Sequence, residues 1–75
     1  MPVQELDITG ETCPMTFVRT RLALDRIPSG TVLRVRLLGE EPRRNVILNA
    51  TSLGHVLMSD EPGPGGERLI SIRRL

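Results

Sequence analysis

The chain has 75 residues, 39% of them hydrophobic and 25% charged, with a mean hydropathy near zero and a formal net charge of +1. A chain this short folds as one domain, residues 1–75, around a simple core, because it hides only about 60% of the surface its unfolded form exposes. Composition excludes a collagen-like chain or a long disordered tail. No apolar run approaches the roughly 20 residues of a membrane span. The near-neutral charge carries no general mandate for nucleic acid or membrane, and all ten basic residues are arginine, which reads as codon bias before chemistry. Phe17 is the sole aromatic residue, so stacking of bases on exposed rings is excluded.

Cysteine and histidine usage narrows the chemistry further. Cys13 stands alone, so it makes no internal disulfide and no CxxC pair, and it cannot by itself hold a structural zinc. His55 is the single histidine; a conventional metal cluster is excluded, and any Ser-His-Asp or Cys-His pairing would have to use it. No metal and no cofactor are expected. The start, Met1-Pro2-Val3-Gln4-Glu5, has neither the basic nor the apolar segment of an export signal. A lone reduced thiol then points to a cytoplasmic setting.

In chain order, Leu6 and Ile8 alternate with Glu5, Asp7 and Thr9, the period of a half-buried strand that Gly10 ends. Pro14, at home in the first turn of a helix, opens a helix running to about Ile27, where Pro28-Ser29-Gly30 stops it. Thr31 to Leu38 alternates Leu33, Val35 and Leu37 against Arg34 and Arg36 and reads as a second strand. Gly39-Glu40-Glu41-Pro42 opens a second helix, with two acids favouring its dipole, that runs through Val46, Ile47 and Ala50 to Leu53, with Gly54 as the residue beyond its C-terminus. His55 to Ser59 is a short third strand, Glu61 to Gly66 a turn, and Arg68 to Arg73 a fourth strand. The order β-α-β-α-β-β predicts an α/β (α+β) two-layer sandwich with two helices on one face of a four-stranded mixed sheet, the first crossover parallel and right-handed.

The Cys13-Pro14 pair carries the chemistry. Placed one residue before the helix, at its N-cap, Cys13 faces the free amides of the first turn; those amides and the helix dipole favour an anion, so its thiol pKa is expected to fall. The competing reading is a small buried cysteine used as filler. A filler would sit on the apolar stripe of the helix, whereas Cys13 sits at its tip, and on physical grounds the two readings balance.

Leu6-Asp7-Ile8-x-Gly10-x-x-Cys13-Pro14 leading into a helix resembles the TusA/SirA family of small sulfur-carrier proteins. Ile27-Pro28-Ser29-Gly30, Gly39-Glu40-Glu41-Pro42 and Gly54-His55-Val56 fall in the family's order, so the resemblance covers essentially the whole chain. It implies a βαβαββ sandwich and a sulfurtransferase function in which Cys13 accepts sulfane sulfur as a persulfide and relays it. The donor it implies is a cysteine desulfurase or rhodanese-like protein, and the receiver an acceptor protein. The usual motif is Cys-Pro-x-Pro. Here Thr16 holds the last position and restores an N–H donor, a departure that bears on partner identity rather than on the class of chemistry. The persulfide is expected to be held by the helix N-terminus at Pro14, Met15 and Thr16, with Glu11 opposing a thiolate modestly and the Thr12 hydroxyl free to hydrogen-bond it.

Helix one shows two apolar stripes. Phe17, Leu24 and Ile27, with Thr20, form one; Met15, Val18 and Leu22 form the other. The second is expected chiefly to pack against helix two; its functional reading is a docking patch for a sulfur donor or acceptor. Arg34, Arg36 and Arg73 should project from the helix-free sheet face as a solvated row, which makes RNA an unlikely ligand. His55 is expected to open the third strand, and Gly63-Pro64-Gly65-Gly66 lacks the ending of a phosphate loop. The function expected is therefore a cytoplasmic sulfur carrier, monomeric or weakly dimeric. The alternative is a small non-enzymatic regulatory or redox-sensing module.

Overall fold

In the computed structural model, which describes residues 2–75, six main elements follow the expected order: β1 Val3–Asp7, α1 Met15–Arg26, β2 Val32–Leu38, α2 Glu40–Ser52, β3 Val56–Pro62 and β4 Glu67–Arg73. The strands form one mixed sheet in the order β1-β2-β4-β3, with β1 parallel to β2 and β4 antiparallel to both β2 and β3. The chain is thus the two-layer α/β sandwich that its patterning predicts.

The alternation of β2 does most to define the layers. Leu33, Val35 and Leu37 are buried and Arg34 and Arg36 exposed, as a period of two demands. Leu33 and Val35 lie opposite Ile72 and Ile70 of β4, and Leu6 of β1 lies opposite Val35 on the other side. Leu24 and Ile27 close this core from the end of α1, and Val46 and Ala50 from α2. On the helix-free face, register sets Glu5 opposite Arg34 and Asp7 opposite Arg36, and Arg36 also meets Glu67 at 2.8 Å. The arginine row is therefore interleaved with acids. Arg73 is only half exposed, with a sealed Nε that has no hydrogen-bond partner among the described residues.

Several boundaries move. β1 ends at Asp7 because its carboxylate accepts hydrogen bonds from the Thr9 N–H (2.9 Å) and hydroxyl (2.7 Å), a local turn that leads the chain out of the sheet. These bonds also hold the Asp7 carboxyl below the usual range. Ile8 lies outside the strand yet stays buried, its N–H donating to the Arg36 carbonyl. α1 starts at Met15 rather than Pro14 and ends at Arg26. β2 starts at Val32 and β4 at Glu67. β3 begins at Val56, with His55 just before it, and runs on through Glu61-Pro62, where a turn was expected. A register shift between Leu57 and Ser59 leaves Met58 as an extra residue, after which Asp60 pairs with Ile70 and Pro62 with Arg68. Pro62 is tolerated because β3 is an edge strand. α2 ends as expected, with Leu53 at its C-cap and Gly54 at φ 93°, a left-handed conformation that suits glycine.

Asp60 ties three elements together. Its Oδ2 accepts from Arg43 of α2 at 2.8 and 2.5 Å, and its Oδ1 accepts from Arg68 of β4 at 3.1 and 2.8 Å. At the other end of the sheet the chain after β4 is sewn to the α1–β2 connection. The Arg74 N–H donates to Thr31, the Arg74 carbonyl accepts from Gly30, and its guanidinium donates to the Ile27 carbonyl. His55 Nδ1 accepts the Leu75 N–H at 3.3 Å.

Two predictions follow from the packing. Ile70, fully buried at the centre of the sheet, should cost about 2–5 kcal/mol when truncated to Ala, measured by denaturant unfolding. The Arg43 hydrogen bond, seconded by Arg68, holds the Asp60 carboxyl below its ordinary value. A depressed carboxylate pKa contributes stability that is present above the unfolded-state value and is lost as pH falls through the folded one. Asp60→Asn should therefore lower the melting temperature near neutral pH, by the equivalent of about 1 kcal/mol after salt screening, and the difference from the native chain should shrink in acid.

Candidate functional site

β1 and β2 run parallel, and each is followed by a helix, so the N-termini of α1 and α2 lie at the same end of the sheet. Between them is an open cleft of about 270 Å³. Glu11, Thr12, Cys13 and Thr16 form one wall, and Leu38, Glu41, Pro42 and Asn45 the other. Gly39 joins β2 to α2 at φ 107°, and a side chain there would begin 3.3 Å from Pro42 Cδ; only glycine makes the turn that brings Pro42 to the cleft.

Cys13 is exposed, so it is not core filler. It lies on a tight turn closed by the Met15 N–H donating to the Thr12 carbonyl at 2.7 Å, and the Cys13–Pro14 peptide bond is cis. The N-cap position belongs to Pro14, not Cys13. The reason is the Thr12 carbonyl: it also accepts the Thr16 N–H at 3.3 Å and so draws the cysteine into the turn that precedes the helix. The Met15 and Thr16 amides, expected to be open to an anion, are thereby engaged. The first helical bond runs from Val18 to the Pro14 carbonyl at 3.1 Å, and the Phe17 N–H has no acceptor among the described residues.

The other candidates separate clearly. Glu11 is paired with Arg19 at 2.9 Å, which offsets its opposition to a thiolate. Thr12 is exposed and uses its carbonyl, rather than its hydroxyl, to shape the turn. Thr16 is 2% exposed and lines the cleft. Along α1 it is Thr16, Thr20, Leu24 and then Ile27 that are buried, with Phe17 only half-buried. Met15 (42%) and Leu22 (46%) are exposed and Val18 is half-buried, so that stripe does not vanish against α2 as expected. Threonines take the sheet side instead, and the polarity of Thr20 is hidden by its bond to the Thr16 carbonyl at 2.8 Å. His55 is not among the cleft residues.

The second wall escaped the sequence reading. Its signal was available: two parallel strands each followed at once by a helix place both helix starts at one sheet edge, which makes the Gly39-to-Pro42 turn a neighbour of Cys13.

Removing Arg19 should leave an uncompensated carboxylate at the cleft. Arg19→Ala is expected to slow alkylation of Cys13 by iodoacetamide about two- to threefold at low salt, with less effect at high salt. Adding Glu11→Gln should restore the native rate.

Comparison with known proteins places this geometry. The family model of sulfurtransferase TusA matches residues 4–74. A protein of Archaeoglobus fulgidus, provisionally named a sulfur carrier, is 43% identical over 56 residues, which is 75% of this chain and 64% of that protein. The match therefore spans less than two thirds of that relative's length. The provisionally named sulfur carrier YrkI of Bacillus subtilis is 34% identical over 53 residues, 71% of each chain. Among solved structures, a SirA-like protein from Desulfitobacterium hafniense superposes with a TM-score of 0.82 over 95% of both chains at 22% identity, a likeness of fold. With its turn-borne cysteine, its βαβαββ sandwich and a family match over nearly its whole length, the chain belongs to the TusA family.

Proposed function

We propose that this protein carries sulfane sulfur on Cys13, receiving it from one protein and passing it to another. The observation that supports this most is the exposed Cys13 at the tip of a turn, in a cleft open to both helix N-termini. Deprotonated Cys13 attacks the terminal sulfur of a donor persulfide. A bond forms between Cys13 Sγ and that sulfur, the donor's S–S bond breaks, and its electron pair leaves as the donor thiolate. An acceptor thiolate then attacks the same terminal sulfur and releases Cys13. Neither step changes the overall oxidation level, so both follow the nucleophile and leaving-group rules of thiol–disulfide exchange without a cofactor.

In this reading the N-terminus of α1 steadies the anion through its dipole and the unpartnered Phe17 amide. Pro14 and the Thr12 carbonyl set the turn that presents the sulfur. Met15, exposed two residues from Cys13, is the contact nearest the sulfur for a docking partner, with Val18 and Leu22 continuing the patch along α1. The donor is a cysteine desulfurase or rhodanese-like protein, and the exchange takes place in the reducing cytoplasm. No helix among the described residues is long and apolar enough to cross a membrane.

Intact mass of the reduced protein after exposure to polysulfide, or to a cysteine desulfurase with cysteine, tests the reading. The native chain should gain one sulfur, reductant should remove it, and Cys13→Ser should gain none while melting within a few degrees of native. A thiol that alkylates readily yet takes up no sulfur from either source would instead favour redox sensing.

A further inference from the structure

Thr16 departs from its helical counterparts. In α1 and α2, the Thr20 and Thr51 hydroxyls donate to the carbonyl four residues back, at 2.8 and 2.9 Å. Thr16 has no such bond. The carbonyl four residues before it, that of Thr12, already accepts two amides, and its own carbonyl serves Thr20. The Thr16 side chain is nonetheless 98% buried by residue, at 2% exposure, and what surface it keeps lines the cleft beside Cys13. Its hydroxyl is not among the sealed polar atoms, which are Glu67 Oε1 and Arg73 Nε. A hydroxyl on so buried a residue, without a partner among the described residues, costs free energy unless something in the cleft hydrogen-bonds it.

We infer that the partner is the sulfur carried by Cys13: the Thr16 hydroxyl donates a hydrogen bond to the anionic terminal sulfur of the persulfide. The assignment rests on the sulfur-carrier reading and adds to it a positioning residue supplied by a side chain, at a helix start where the Met15 and Thr16 amides are occupied. No bond is made or broken by Thr16. Its hydroxyl keeps its proton, lowers the energy of the persulfide anion, and orients the terminal sulfur for attack by the acceptor. The charged groups facing the same cleft are Glu11, already held by Arg19, and Glu41 of α2; both carboxylates oppose the anion, which leaves the hydroxyls of Thr12 and Thr16 as neutral donors in that wall, and of the two residues only Thr16 is buried.

The test loads native protein, Thr16→Val and Thr16→Ser with polysulfide, verifies the gain of one sulfur by intact mass, and follows alkylation of the persulfide across pH. Valine matches threonine in shape without the hydroxyl, so its pH midpoint should rise by about one unit, a tenfold loss of anion below the midpoint. Serine should return the native midpoint. Loading by native and serine forms but not by the valine form would also support the assignment. Identical midpoints in native and valine forms overturn it while leaving the carrier reading intact, as does failure of both variants to load when the native chain loads. No uptake by the native chain overturns the carrier reading itself. Should Thr16→Val not fold, Thr16→Ala makes the same comparison.

Discussion

The parallel pairing of β1 with β2 is the constraint from which the rest of the molecule descends. Parallel neighbours need a crossover, and α1 supplies it; because β2 is in turn followed immediately by α2, the two helix starts are forced to one edge of the sheet. The cleft is what lies between them. Had the first pair been antiparallel, Cys13 and the Gly39-to-Pro42 turn would sit at opposite ends, and an exposed thiol would face solvent alone. The same pairing requires β2 to be buried on its helix side along its whole length, which Leu33, Val35 and Leu37 satisfy.

Most of the architecture was legible because β2 and the two helix stops are written in strong local chemistry: strict alternation, proline and glycine breakers, and a glycine that accepts a left-handed turn. Legibility failed where a tertiary contact overrode the local pattern. β3 could not be followed past Ser59, since the extra residue at Met58 breaks the alternation and Asp60-Glu61-Pro62 has the composition of a turn; pairing with β4 and the side chains of Arg43 and Arg68 keep Asp60 in the sheet. On α1 the expected stripe is buried at Thr20, Leu24 and Ile27, but Phe17 is only half-buried and Thr16 joins the buried side. Counting apolar residues cannot see that a threonine such as Thr20 sits in the core once its hydroxyl is bonded to its own helix.

At the site, the identity of the cysteine was legible and its setting was only half so. Pro14 signals a helix start, but whether the preceding residue caps that helix or rides on a turn before it depends on where the Thr12 carbonyl points. It points at two amides. The outcome is a cysteine carried on the turn before the helix, beside two amides already engaged and one, that of Phe17, without an acceptor among the described residues. The other ionisable side chains lining the cleft are the carboxylates of Glu11 and Glu41.

The hydrogen bonds that sew Arg74 to Ile27, Gly30 and Thr31 lie at the end of the sheet away from the cleft. They join segments more than forty residues apart in sequence, whereas the cleft end is held by the Ile8 N–H on the Arg36 carbonyl and by Asp60 between Arg43 and Arg68. The chain after β4 and the α1–β2 connection must therefore come away together: neither can leave the sheet while the other keeps its place.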